Sequence, residues 1–203
     1  PIGDEAAGAA DAFCYIVSYE SPYCGEFDGA ILALLCTYED KVGYLMMTEY
    51  MGGNNPANGL AVTIGREIWG EVKREGVGRV YRDGSHRYAF AERHGVRTME
   101  IEAEVGPDLG PRSDHVYDFE IKAIPHATGK GLQYDPLLII FDVNSEYTSY
   151  HEGPGRLKLQ GTPYDRTDWP ILEVGLAKAF TCESCYPYHS EVNLKDRELY
   201  APY

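Results

Sequence analysis

The sequence predicts a mainly β (α+β) fold: a closed antiparallel β-barrel carrying one or two helices. Two observations lead there. Short runs with period-two alternation recur along the whole chain, separated by Gly, Pro, Asp and Asn clusters such as "GPDLGPRSD", "PHATGKG", "HEGPG" and "GTPYDRTDWP". Helical periodicity, in contrast, is strong at only one place. Many evenly spaced strands with so little helix fit a barrel, whose interior either packs solid or holds a ligand.

Taken in order, the first strand candidates are "FCYIVS" (13–18), "AILALLCTY" (30–38) and "VGYLMMTEY" (42–50). The one clear helix follows. Asn55-Pro56 is a start signal, with Asn as N-cap and Pro at the first helical position. Leu60, Ile64 and Ile68 then recur at four-residue spacing as an apolar stripe, and Gly70 is a stop. Gly59 and Gly65 weaken this helix, so packing must support it. His86 and His94 flank an expected hairpin strand. In "VRTMEIEAEV" (96–105), Met99, Ile101, Ala103 and Val105 share one face and Glu100, Glu102 and Glu104 the other. "YDFEIKAI" (117–124) repeats the pattern, with Tyr117, Phe119, Ile121 and Ala123 on one side. "LLIIFDVN" (137–144), "GRLKLQ" (155–160) and "LEVGLAKAF" (172–180) add strands, with a weaker helix signal over 172–179.

Composition narrows the function. At 203 residues the chain reads as a single domain, 1–203. With 18 Lys+Arg against 32 Asp+Glu, its formal charge of −14 argues against nucleic acid and anionic membrane surfaces as partners. No apolar run is long enough to span a bilayer as a helix. Five Cys do not suggest a disulfide framework, so a reduced, cytoplasmic setting is expected. Cys182 and Cys185 form a lone CxxC without the second ligand pair of a zinc site, and the histidines are scattered; no metal site is expected. The chain begins at Pro1 without Met, which leaves targeting open and allows residues ahead of it.

The most informative stretch is "GREIWGEVKREG" (65–76), which sets Lys73 and Arg74 side by side in an acidic chain. Gly65-Arg66-Glu67, then Gly70, then Lys73-Arg74 resembles the signature of the acetoacetate decarboxylase family. Four further blocks agree in order: Tyr23-Cys24-Gly25-Glu26, Tyr44 to Met47, Phe119 to Pro125, and Gly153-Pro154-Gly155-Arg156-Leu157. The resemblance covers roughly residues 20–195. It implies the family's double-ended cone, a homo-oligomer, a small carbonyl or keto-acid substrate, and no metal or organic cofactor. It also implies that Lys73 forms an imine, with Glu26 as acid/base and Glu67 as second choice.

An amine attacks a carbonyl only when unprotonated, and a free Lys has a pKa of about 10.4. Burial or a neighbouring cation lowers it; both devices are known for acetoacetate decarboxylase itself and are not deduced from this chain. Arg74 is the candidate neighbouring cation, although adjacent strand residues point to opposite faces. Tyr23 and Met47 are candidate pocket walls. The protonated imine is an electron sink, so it serves loss of carbon dioxide from a β-keto acid, the first expectation. It equally serves aldol addition, retro-aldol cleavage or dehydration. A barrel that only binds a small ligand is the alternative from another class.

Departures from the family bear on that choice. Val72 replaces a Pro, Glu71 an aromatic residue, and Arg74 a second Lys; an early Glu falls near Cys14. Glu71 lies two residues before Lys73 and on a strand would share its face. Facing inward, it would raise the Lys pKa and repel a substrate carboxylate, favouring aldol or dehydration chemistry. Glu49 raises the same question of orientation. Arg66 and Glu67 are expected either to pin the helix to the barrel or to touch substrate.

Overall fold

The computed structural model describes residues 10–22, 25–52 and 58–194, with backbone only for 58 and 184–188. Its strands are β1 (Ala12–Ser21), β2 (Gly25–Tyr38), β3 (Lys41–Gly52), β4 (Lys73–Glu75), β5 (Val77–Asp83), β6 (His86–Arg93), β7 (Val96–Glu104), β8 (Arg112–Lys122), β9 (Leu137–Gly153), β10 (Gly155–Leu159) and β11 (Ala177–Asn193). Helix α1 (Asn58–Ile64) runs directly into a π-helical turn, Gly65–Trp69.

The strands form two sheets. The larger runs β1-β2-β3-β8-β9-β11 with β4 beside β3, and the smaller runs β10-β7-β6-β5. The expectation of a closed antiparallel barrel is therefore corrected: the larger sheet is a curled half-barrel. Among the described residues its end strands β1 and β11 do not pair, and β3 pairs in parallel with both β4 and β8. The first is possible because the helical segment carries the chain back before β4 begins, the second because β5, β6 and β7 intervene before β8.

One core lies between the sheets, where Ala30, Leu32 and Tyr50 of the larger meet Ala91 and Met99 of the smaller. Each large side chain buried there contributes about 1.5–3 kcal/mol. The expected alternation of β7 holds, with Met99, Ala103 and Val105 buried and Glu102 and Glu104 exposed. The other face of β2 and β3 carries Ile31, Ala33 and Met46, covered in part by Val72 just ahead of β4.

The helical segment departs from expectation. Leu60 and Ile68 are 48% and 54% exposed, while Ala61 and Gly65 are the buried positions. The π turn rotates the residues after Ile64 off the 3.6-residue period and so turns Ile68 out, whereas Leu60, ahead of it, lies on the exposed side of α1. Gly70 does end the segment, at φ 77. A Cβ there would also strike the backbone of Lys122, so the position needs glycine twice over. The Asn55-Pro56 start signal lies outside the described residues. The second helix over 172–179 does not form: 170–176 is irregular and β11 starts at Ala177.

Candidate active site

The edge of β3 that faces β4 and β8 builds the site. Glu49 pairs with Lys73 across β3 and β4, and Leu45 pairs with Phe119 across β3 and β8. The first residue of β4 and the strand β8 thus flank β3 on this edge. Lys73 Nζ forms an ion pair with Glu71 Oε2, and both side chains are largely buried. Glu120, next to Phe119 on β8, brings the third carboxyl: oxygens of Glu49, Glu71 and Glu120 all lie within 4.8 Å of one another. Glu49 and Glu120 are each only 2% exposed.

The glycine of Gly65-Arg66-Glu67 has a direct steric reason. A Cβ at Gly65 would collide with the Glu71 carboxylate and the Lys73 side chain. The Gly65 carbonyl also accepts from the Glu71 amide at 3.1 Å, fixing the chain that delivers Lys73. Trp69 covers the amine with its ring centroid 5.9 Å from Nζ, and packs edge-on against Phe141 at 6.1 Å.

These surroundings oppose one another. Burial pulls the Lys73 amine down, but the Glu71 contact and the Glu49 and Glu120 charges carry it above its ordinary value. Burial, reinforced by Glu71, pushes Glu49 up to about 7. Glu120 is driven well above the usual carboxyl range by burial and by the Glu49 charge. The two hydrogen-bond each other, which lowers Glu49 and raises Glu120. Both carboxyls are thus raised, and the pair is set to share a proton. Asp118, two residues back on β8, is likewise raised to about 7 by burial and then by Glu71.

The other predicted residues are placed as follows. Arg74 points to the opposite side of β4 from Lys73, 3.4 Å from Asp165. Asp165 is fully buried and also holds Arg93 through both oxygens at 3.1 and 3.2 Å. Arg74 thus ties β4 to the 160–169 loop, and it also lines the cleft that reaches Lys73. Glu26 is exposed on β2, five residues from Ile31, the partner of Glu49. That is about 17 Å along the strand. Met47 is 37% exposed, at the bulge where Leu32 pairs with Thr48 and Ala33 with Met46. Tyr23 lies outside the described residues. Glu67 and Arg66 are exposed and line a cleft of about 260 Å³ that reaches Glu71 and Lys73, its far wall formed by Ile121 and Ile124. That volume is at the small end for a ligand site. Of the named residues, the structure brings together Lys73, Glu71 and Glu49, with Glu67 and Arg74 on the cleft that reaches them.

Sequence reasoning missed Glu120, Asp118 and Trp69. The signal for the first two was present: alternation that turns Phe119 inward on one face of β8 puts Asp118 and Glu120 together on the other. Three carboxylates this close are also oxygen ligands of the kind a divalent cation takes. Lys73 already presents a cation to them.

This arrangement joins an amine, a cleft and a cluster of carboxyls at one sheet edge. A family model described as acetoacetate decarboxylase matches residues 5–184, and the chain belongs to that family. Solved structures share the fold. An acetoacetate decarboxylase superposes with TM-score 0.76 at 16% identity, over 90% of this chain and 75% of that one. The acetoacetate decarboxylase of Legionella pneumophila gives 0.74 at 16%, over 89% and 73%. The enduracididine biosynthesis enzyme MppR, complexed with the condensation product of pyruvate and imidazole 4-carboxaldehyde, gives 0.66 at 18%, over 84% and 66%. A search of curated protein sequences finds no match. Family and neighbours point to an enzyme. Among the described residues, no helix is long and apolar enough to cross a membrane.

Proposed function

We propose that the protein is a Schiff-base lyase in which Lys73 condenses with a small carbonyl compound and the imine undergoes aldol or dehydration chemistry. The observation that carries this is the Lys73–Glu71 ion pair backed by buried Glu49 and Glu120. A β-keto acid places its own carboxylate beside the imine nitrogen, and repulsion from these acids disfavours it there. The same acids stabilise the cationic iminium and do not oppose a substrate that is uncharged at the reacting carbons. The MppR complex supports condensation chemistry as compatible with this fold. Decarboxylation of a β-keto acid is the second reading, favoured by the family match. We further propose a homo-oligomer, a cytoplasmic setting, and a substrate that enters by the cleft bearing Glu67.

The test is a paired product assay on the native protein. Acetone release from the β-hydroxy ketone 4-hydroxy-4-methylpentan-2-one, or its dehydration, is expected to exceed carbon dioxide release from acetoacetate. The reverse order would establish the decarboxylase reading. Saturable carbonyl binding that survives Lys73→Ala, with turnover of neither substrate, would show a binding barrel.

A further inference from the structure

Every imine reaction beyond simple trapping moves a proton at the carbon next to the imine, and Lys73 cannot do that alone. The expected acid/base residue, Glu26, sits about 17 Å along β2 from the residue facing Glu49. The cluster on β3 and β8 offers another source. Glu49 lies directly opposite Lys73 in register, and its carboxyl group is within 4.8 Å of both the Glu71 and Glu120 groups. Apart from the contact the two carboxyls make with each other, Glu49 Oε1 and Glu120 Oε2 are buried and have no hydrogen-bond partner. Orphaned buried oxygens of this kind are costly, and a functional role accounts for retaining them. Two carboxyls that share one proton present an acid and a base at the same place, a division of roles set by environment.

We infer that Glu49 and Glu120 are the proton-transferring pair of this enzyme, Glu49 as base and Glu120 as acid, acting on substrate held as an imine on Lys73. The inference rests on the imine-forming role of Lys73. The steps balance for a β-hydroxy carbonyl substrate. Glu49 takes the proton from the carbon next to the iminium; that C–H pair becomes a C=C bond, and the C=N pair moves onto nitrogen, giving the enamine. Glu120 gives its proton to the β-hydroxyl. The nitrogen lone pair re-forms C=N, the enamine C=C pair shifts to make a double bond between the α- and β-carbons, the C–O bond breaks with its electron pair, and water leaves. The proton now on Glu49 crosses the shared hydrogen bond to Glu120, which restores the pair. Hydrolysis of the unsaturated iminium frees the product and Lys73.

The groups facing the pair are Glu71 just ahead of β4, Lys73 at its start, Asp118 from β8 and Tyr15 from β1. Glu71 stays on the nitrogen as counter-ion to the iminium, which leaves the pair to handle carbon and oxygen.

The experiment separates imine formation from proton transfer, using acetone in D2O as probe. Imine formation is read by borohydride reduction and mass on the Lys73 peptide; proton transfer is read as deuterium entering acetone, by NMR. The native protein is expected to do both. Glu49→Gln and Glu120→Gln are expected to keep trapping while exchange falls about 100-fold. Exchange in the native protein is expected to rise with pH through about 7, where Glu49 ionises. That profile, together with partial exchange in Glu49→Asp, keeps the inference testable should either Gln variant not fold. Trapping without exchange in the native protein would overturn the pair while leaving the Lys73 reading intact. Exchange at native rate in either Gln variant, or a flat pH profile, would do the same. Absence of trapping would overturn the Lys73 reading and the pair with it.

Discussion

Replacing Glu71 by Gln isolates the electrostatics at Lys73. The substitution keeps the shape of the side chain and an oxygen acceptor but removes the charge in contact with Nζ. Both partners are mostly buried, at 11% and 14% side-chain exposure, so solvent screens the pair weakly. At an effective dielectric of about 20, unit charges some 4 Å apart interact by about 4 kcal/mol, or roughly 3 pKa units. Part of that is offset, because Glu49 then takes up a larger share of the amine. The midpoint for Lys73 is therefore expected to fall by about 1–3 units in Glu71→Gln. The assay is competitive acetylation across pH, with peptide mass spectrometry reporting the Lys73 midpoint against unreactive reference lysines. Burial opposes the charged amine in both proteins, so the variant should come close to or below the ordinary Lys value. An unchanged midpoint, or one that moves up, would refute the assignment of Glu71 as the principal charge partner.

Other predictions address fold and pH. Gly65→Ala is expected to displace the Glu71 and Lys73 side chains, cutting Lys73 labelling by about tenfold while the fold survives. Gly70→Ala meets backbone at a positive φ and should cost about 1–3 kcal/mol in denaturant melts. Asp165→Ala leaves Arg93 without its counter-charge and should destabilise by about 3 kcal/mol, read in the same way. Thermal melts should show stability rising as pH falls from about 7 toward 5. The reason is that Glu49 and Asp118 have folded pKa values of about 7 against ordinary values of 4.5 and 3.8. A group raised on folding contributes fully below its unfolded pKa, and that contribution is lost as pH rises through the folded one. For Glu49 the span is on the order of 3 kcal/mol. Glu49→Gln should flatten this slope and be the more stable protein at pH 8.

Much of the architecture was legible from period-two alternation, because strands with one buried face write that face into every second residue. The β7 faces and the Gly70 stop follow directly from local rules. The helix stripe misled twice: Ile68 counts on a continuous α-helix, whereas a π turn at Gly65 shifts the count, and within α1 the small Ala61, not Leu60, is the buried position. Barrel closure is a long-range pairing that no local pattern reports. Lys73 was found through the glycine spacing around it, and the structure explains that spacing by the close approach of Lys73 and Glu71 to Gly65. Glu120 was hidden for a physical reason: a charged residue on an alternating strand reads as the solvent side. Here that face of β8 meets β3 and the approach to β4, and the charge is buried among partners that come from distant segments. Arg74 and Glu26 show the converse. Glu26 matches the family pattern in order and Arg74 stands where the family has a second Lys, yet strand alternation turns Arg74 to Asp165, and register leaves Glu26 well along β2.

The central claim is that Lys73 condenses with a carbonyl carbon. The native protein and Lys73→Ala are incubated with acetone, acetoacetate and a β-hydroxy ketone, reduced with borohydride, digested, and analysed for mass on the peptide containing residue 73. The account predicts an adduct on Lys73 in the native protein and none in the variant, with the β-hydroxy ketone retained whole or less water, or as the acetone-sized fragment after retro-aldol cleavage. No adduct on Lys73 with any of the three, in a protein whose other lysines label normally, would contradict it.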